Sequence, residues 1–181
     1  RCSEKLQNAL LQALEEGFVT IGSYTVDLPI NFIFIGTMNP EDASTEDLSA
    51  VFLDRFDLIN VGYPDTVSDE TSIVQESGNE LAEFPNGMLQ SVTEFIRSFR
   101  DHPDVLRKPS VRATIGVYER AQANALLSGR KKVIHEDVEK SINSVLAHRM
   151  ELKPSKKYLK STEEFIEESL KDFIKKKGGG L

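Results

Sequence analysis

The sequence predicts a mostly helical protein in two parts, an α/β segment followed by an all-α one. Three observations predict it. The runs rich in β-branched and aromatic residues all fall before Pro64, at 18–21, 24–28, 30–36 and 57–63. Beyond Pro64 the apolar residues recur three and four apart, which is the period of an amphipathic helix. Helix punctuation is frequent there too, with Ser110 ahead of one run and Gly129 behind it, and Ser161 three residues before Glu164. With 39% apolar residues in 181, the chain can bury a real core.

The elements follow in order. Leu6, Ala9, Leu10, Ala13 and Leu14 predict an amphipathic helix over 3–16, with Ser3 as N-cap and Gly17 as the stop. Phe18–Ile21 and Tyr24–Leu28 flank Gly22-Ser23, the signature of a hairpin with a type I′ or II′ turn. Residues 30–36, INFIFIG, are apolar on both faces, as in a central strand covered on both sides. Ser44 and Asp47 form a capping box that opens a short helix through DLSAVFLDRF. DLINVGYP reads as one more strand, closed by Gly62 and Pro64.

After Pro64 a helix is expected from about Ser68 to an interruption near Gly78. Met88, Val92, Phe95, Ile96 and Phe99 mark the next helix, and Ser110 caps one that runs to about Ser128. Lys132–Ile134 is a brief extended piece before a helix that carries Val138, Ile142, Val145 and Leu146. The last helix carries Phe165, Ile166, Leu170, Phe173 and Ile174. Ile115 and Tyr118, at helical spacing, read as core.

Charge and composition exclude several functions. Acidic residues outnumber basic ones, 29 to 22, for a net charge of −7. That argues against a general nucleic-acid binder, which needs a basic face for phosphates. One cysteine, Cys2, excludes an internal disulfide framework and fits a reducing compartment. No apolar run has the roughly 20 residues of a membrane-spanning helix. His102, His135 and His148 show no metal-ligand spacing, so no metal site is assigned. The sequence starts without a methionine and already helical, and two strands with one helix cannot complete a covered parallel sheet. A longer parent protein is therefore expected.

Four stretches carry a resemblance. FIFIGTMNP, LSAVFLDRFD, VGYP and SVRATIGVYERAQANALLSGRKKVIHEDV stand in an order and spacing similar to those of AAA+ ATPases. The branch they resemble is that of MoxR and magnesium chelatase, with dynein-related and midasin-like members, and the resemblance covers roughly residues 1–150. It implies that 1–64 is the distal part of the αβα core of a P-loop NTPase, that 65–150 is a helical lid and that 151–181 is a helical tail. It implies ATP and Mg as cofactors, with the phosphate loop and the Walker B acids outside this chain, which has no G-x-x-x-x-G-K-[ST]. It further implies a cytoplasmic homo-oligomeric ring, a hexamer. Such a ring hydrolyses ATP to remodel, mature or insert metal into a partner such as a von Willebrand factor A-type protein. No membrane or nucleic-acid partner is implied, and the 181-residue chain alone is expected to be inactive.

Three residues carry the implied chemistry. Asn39 matches sensor 1 of the family, where an amide with both a donor and an acceptor can hold the γ-phosphate and the attacking water. Its other reading is a turn-former before Pro40. Arg55 matches the arginine finger that reaches a neighbouring subunit's γ-phosphate, while its other reading is a surface ion pair with Asp54 or Asp57. Arg112 matches sensor 2, and its position in the first turn of a helix is unfavourable for a cation without a further partner. Arg107 and Lys108 compete for that role. The hairpin resembles the insert before sensor 1, facing a pore or a partner, or else it is a ribbon that patches the sheet. Two rival functions stand beside the ATPase of the MoxR kind, namely an AAA+ motor on nucleic acid and a non-enzymatic helical interaction module.

Overall fold

The computed structural model describes residues 3–27, 33–39 and 47–178. The chain divides into two compact units, Arg1–Val61 and Gly62–Leu181. In the first, helix α1 (Glu4–Glu15) starts after Ser3 and ends at Glu16, with Gly17 at a φ of 70°. Its expected apolar stripe is only partly covered, since Ala13 is buried but Leu6 is 51% exposed. Gln7 is buried instead, because its amide serves the backbone of a distant segment. Its Oε1 accepts from the Ser49 N–H at 3.0 Å, and its Nε2 donates to the Asp47 carbonyl at 3.3 Å.

Strands β1 (Phe18–Ile21) and β2 (Tyr24–Asp27) pair antiparallel, with Ile21 opposite Tyr24. That register leaves Gly22-Ser23 as a two-residue turn. Gly22 has a φ of 63° and no described non-glycine residue has a positive φ. The turn therefore needs positive φ at its first central residue alone, the requirement of type II′ and not of type I′. Helix α2 is a single turn, Ala50–Leu53, and Ser49 caps it by accepting from the Phe52 N–H at 3.2 Å. The expected cap at Ser44 lies outside the described residues. Phe52 stacks on Phe56 at 4.9 Å and Phe56 on Phe34 at 5.7 Å, a small aromatic centre for this unit.

Two expected strands are not seen among the described residues. Residues 33–36 and 57–63 pair with no described strand, and residues 30–32 lie outside the described set. Ile33, Ile35, Ile59 and Val61 are each at least 85% exposed. The reason is physical. Apolar alternation makes a segment able to be a strand, but strand hydrogen bonds are made between segments. Neither run meets an edge among the described residues.

The second unit is helical, with α3 (Val67–Ser77), α4 (Asn86–Ser98), α5 (Val111–Leu127), α6 (His135–Leu146), the one-turn α7 (Pro154–Lys157) and α8 (Thr162–Lys177). A short pair, β3 (Val105–Arg107) and β4 (Glu151–Leu152), joins Val105 to Leu152. Helix α4 lies at the centre, with Leu89, Val92, Phe95 and Ile96 at most 1% exposed. Each such side chain contributes roughly 1.5–3 kcal/mol by burial. Helix α8 shares this core. Its capping box at Ser161 and Glu164 forms as expected, Phe165 meets Phe99 at 6.0 Å, and Phe173 meets Phe95 at 5.3 Å. Tyr118 is buried and Ile115 packs against the core.

Buried polar groups in this unit pin the loop after α3 and the start of α6. Gln122, fully buried on α5, accepts from the N–H groups of Leu81 and Ala82 at 2.6 and 2.8 Å, and donates to the carbonyls of Asn79 and Tyr118. Asp137 holds the start of α6 by accepting from the Ile134 N–H at 3.0 Å and from both terminal nitrogens of Arg130 at 2.6 and 2.7 Å. The Arg130 guanidinium holds the Asp137 carboxyl below its ordinary range despite burial.

Helices α5 and α6 touch closely at Gly116, where an added Cβ would stand 2.9 Å from Val145 Cγ1. Gly116→Ala should therefore forgo the usual helix-propensity gain of about 1 kcal/mol. It should instead lose about 1–3 kcal/mol through overpacking. Thermal unfolding followed by circular dichroism checks this, and a raised midpoint would show that the contact relaxes freely.

Candidate functional site

Asn39 and Arg55 lie in the first unit and Arg112 in the second. Asn39 is exposed and outside any helix or strand, while Pro40, on which its turn-forming reading depends, lies outside the described residues. Arg55 follows α2 and pairs with neither Asp54 nor Asp57. Its guanidinium meets Glu15 at the end of α1 and donates to the Val51 carbonyl at 2.5 Å. Both partners of that ion pair are partly exposed, 29% and 48%. A pair in this setting contributes about 0–1 kcal/mol, so it does not commit the arginine to a structural role.

Arg112 is the second residue of α5, as expected from the Ser110 start. It is exposed, and its side chain makes no hydrogen bond or ion pair with another described residue. A cation in a first helical turn is disfavoured by about 0.3–1 kcal/mol by the helix dipole. Of its rivals, Arg107 is engaged, donating to the His148 carbonyl at 2.8 Å from β3. Lys108 is exposed.

The backbone around Arg112 is held from below by a buried charge cluster. Glu70 on α3 is fully buried. Its Oε1 accepts from Arg100 at 2.8 Å and from the Thr114 hydroxyl at 2.7 Å, and its Oε2 accepts from Arg100 at 2.7 Å and from Arg97 at 3.1 Å. Arg100 Nε donates in addition to the Pro109 carbonyl at 3.0 Å. Arg100 also lies over the Tyr63 ring, 4.4 Å from its centre. Arg97 continues outward to the carbonyls of Pro64 and Asp65, each at 2.8 Å. Burial pushes the Glu70 carboxyl up, but the Arg100 guanidinium, the Thr114 hydroxyl and Arg97 together outweigh it and hold the group below its ordinary range.

Sequence reasoning missed this cluster. Asp69 and Glu70 sit in the first turn of α3, where carboxylates suit the helix dipole and are usually solvated. One signal was present. Arg97 and Arg100 are three apart at the end of a helix whose neighbouring positions 95, 96 and 99 are apolar. Two guanidinium groups beside a buried face are well placed to meet a buried acid. Among the described residues no group of three or more His, Cys, Asp or Glu could hold a metal ion, and no helix is long and apolar enough to cross a membrane.

Comparison with known proteins covers both units. Residues 1–58 match the ATPase family associated with various cellular activities (AAA), and residues 100–169 match the AAA lid domain. An uncharacterized protein of Bacillus subtilis, YeaC, is 31% identical over 87% of this chain and 57% of its own length. Chaperone MoxR1 of Mycobacterium tuberculosis is 32% identical over 84% of the chain and 48% of its own. A magnesium-chelatase subunit ChlI homolog of Methanocaldococcus jannaschii is 28% identical over 81% and 47%. The chain thus spans about half the length of the curated relatives it matches.

Glu70→Gln should destabilise the second unit by about 3 kcal/mol at pH 7, since it leaves a buried guanidinium without its carboxylate. The sign with pH follows from the lowered Glu70 carboxyl. A depressed folded-state value means that the stabilisation is complete above the unfolded value, near 4.3. It is lost as pH falls through the folded value. Urea unfolding of both forms should show the gap narrowing below about pH 4. A gap that is constant from pH 7 to pH 3 would assign the loss to packing.

Proposed function

Because the chain belongs to the AAA family of ATPases, in its MoxR and magnesium-chelatase-like branch, we propose that it supplies three of the phosphate-facing groups of an ATPase site. The observation that carries this reading is Arg112, an exposed guanidinium in the first turn of α5 with no described counter-ion. An anionic ligand is the partner it lacks, and the triphosphate of ATP fits that need. Arg112 binds nucleotide as sensor 2 within its own subunit. Asn39 orients the attacking water and touches the γ-phosphate as sensor 1, using both ends of its amide. Arg55 turns from Glu15 to the nucleotide of the neighbouring subunit, where its fixed charge stabilises the transferring phosphoryl group.

The working unit is a longer protein that contains this chain and carries the phosphate loop and the acids for Mg. The chain itself has no phosphate-loop pattern and, without one, does not hold ATP alone. In this reading residues 1–64 are core, 65–150 lid and 151–181 tail. The protein forms a cytoplasmic homo-oligomeric ring, a hexamer. It spends ATP on remodelling or maturing a partner protein, or on inserting metal into it, and a von Willebrand factor A-type protein is the partner class. The relatives named chaperone and magnesium-chelatase homolog support that direction. The acidic balance, −7, weighs against a nucleic-acid motor.

In that longer protein Asn39→Ala should lower ATP turnover while leaving nucleotide affinity nearly intact, because orienting water matters only in the transition state. Steady-state kinetics beside equilibrium binding separates the two. A pure loss of affinity would make Asn39 a recognition residue.

Arg55→Ala should lower turnover by roughly 10³-fold or more while each subunit still binds ATP. Mixing it with a subunit whose phosphate-loop lysine is changed should restore some activity, since an intact finger then meets an intact pocket. No recovery on mixing, or near-normal turnover in the uniform variant, would leave Arg55 as the partner of Glu15 alone.

A further inference from the structure

We infer that Arg100 and Glu70 are positioning residues for Arg112, acting through the backbone on either side of it. The inference rests on the reading of Arg112 as a nucleotide contact. Arg112 stands between two points that the buried cluster holds. Three residues before it, the Pro109 carbonyl accepts from Arg100 Nε at 3.0 Å. Two residues after it, the Thr114 hydroxyl donates to Glu70 Oε1 at 2.7 Å. Arg100 and Glu70 are locked to each other by two further bonds at 2.7 and 2.8 Å. The carboxylate and the guanidinium are both out of solvent, at 0% and 6% exposure, so neither can exchange its partner for water at low cost.

Helix α5 also lacks the usual local device for setting its start. Ser110 is the N-cap residue, yet its side chain makes no cap hydrogen bond. The place of the first turn is set instead by the cluster, from α3 and the end of α4. A planar guanidinium with a fixed fork of donors suits this task. It spends two donors on the carboxylate and a third, in the same plane, on the carbonyl of the loop. Lysine keeps the charge but cannot reproduce that geometry. Glu70, Arg100 and Thr114 are all buried, so the route from them to ATP in this inference is the exposed Arg112.

The test is a set of double-variant cycles on the full-length protein, read with a fluorescent ATP analogue. Arg112→Ala should weaken binding about tenfold, the cost of one charged hydrogen-bonding partner. Arg100→Lys and Thr114→Val should each weaken it about threefold to tenfold in the otherwise unchanged protein. Thr114→Val leaves Glu70 bonded to both arginines, and so provides a variant that folds even if Arg100→Lys does not. In the Arg112→Ala background Thr114→Val should have no further effect, because the residue being positioned is gone. An equal loss in both backgrounds would show a general effect on the lid and overturn the inference. If Arg112→Ala weakens binding but Thr114→Val and Arg100→Lys do not, the positioning role falls and the nucleotide role of Arg112 stands. If Arg112→Ala itself has no effect, both fall together.

Discussion

A buried carboxylate cannot be left half-satisfied, and the helical unit is arranged around that constraint at Glu70. Its two oxygens take four hydrogen bonds, two from Arg100 and one each from Arg97 and Thr114. Removing a charge of this kind from water costs several kcal/mol, and only close and complete pairing offsets it. Helices α3, α4 and α5 must therefore meet at one point and in one orientation. The apolar side chains of the core, on α4, α5, α6 and α8, would tolerate small sliding of neighbouring helices. The ion pair would not. Hydrophobic burial supplies the driving force here and the charge cluster supplies the register.

The two units show how differently helices and strands depend on neighbours. A helix satisfies its backbone within itself and needs others only to cover one stripe. The unit Gly62–Leu181 meets that need internally, with α8 folding back onto the α4 core through Phe165 and Phe173. Among the described residues of the unit Arg1–Val61, Phe52 and Ala13 are the buried apolar side chains, and strongly apolar segments around Ile35 and Ile59 stay exposed. Those segments have the composition of central strands without an edge to pair with among the described residues.

The candidate site divides along the same line between what motifs reveal and what they do not. Asn39, Arg55 and Arg112 are candidates drawn from motifs, because a residue type in a patterned context can be matched position by position. The partners that surround them cannot be matched in this way. The alternative reading of Arg55, as a surface ion pair, named Asp54 or Asp57, whereas the structure gives Glu15, forty positions earlier, because α1 ends next to α2. Glu70 looked like a solvated acid in a helical first turn, and only the packing of α5 across α3 shows it to be fully buried. Ion pairs of long sequence separation leave almost no trace in a single sequence, since any acid can serve any base that the fold brings near.

By itself the sequence determined the local structure of this protein. Periodicity and caps placed α3 to α6 and α8 to within a few residues, Gly22 determined where the hairpin turns, and Gly17 and Gly129 marked helix ends. These signals are legible because helix period, capping and positive φ are properties of residues a few positions apart. Tertiary structure alone decided the rest. It left residues 33–36 and 57–63 without a strand partner among the described residues, joined the two-residue β4 to β3, and buried Gln122 and Glu70. It also set the exposed Arg112 between Pro109 and Thr114, both bonded to a buried ion pair of Glu70 on α3 and Arg100 just past α4. Each of these outcomes depends on which distant segment arrives, and arrival is set by how the whole core packs, which no short window of residues contains.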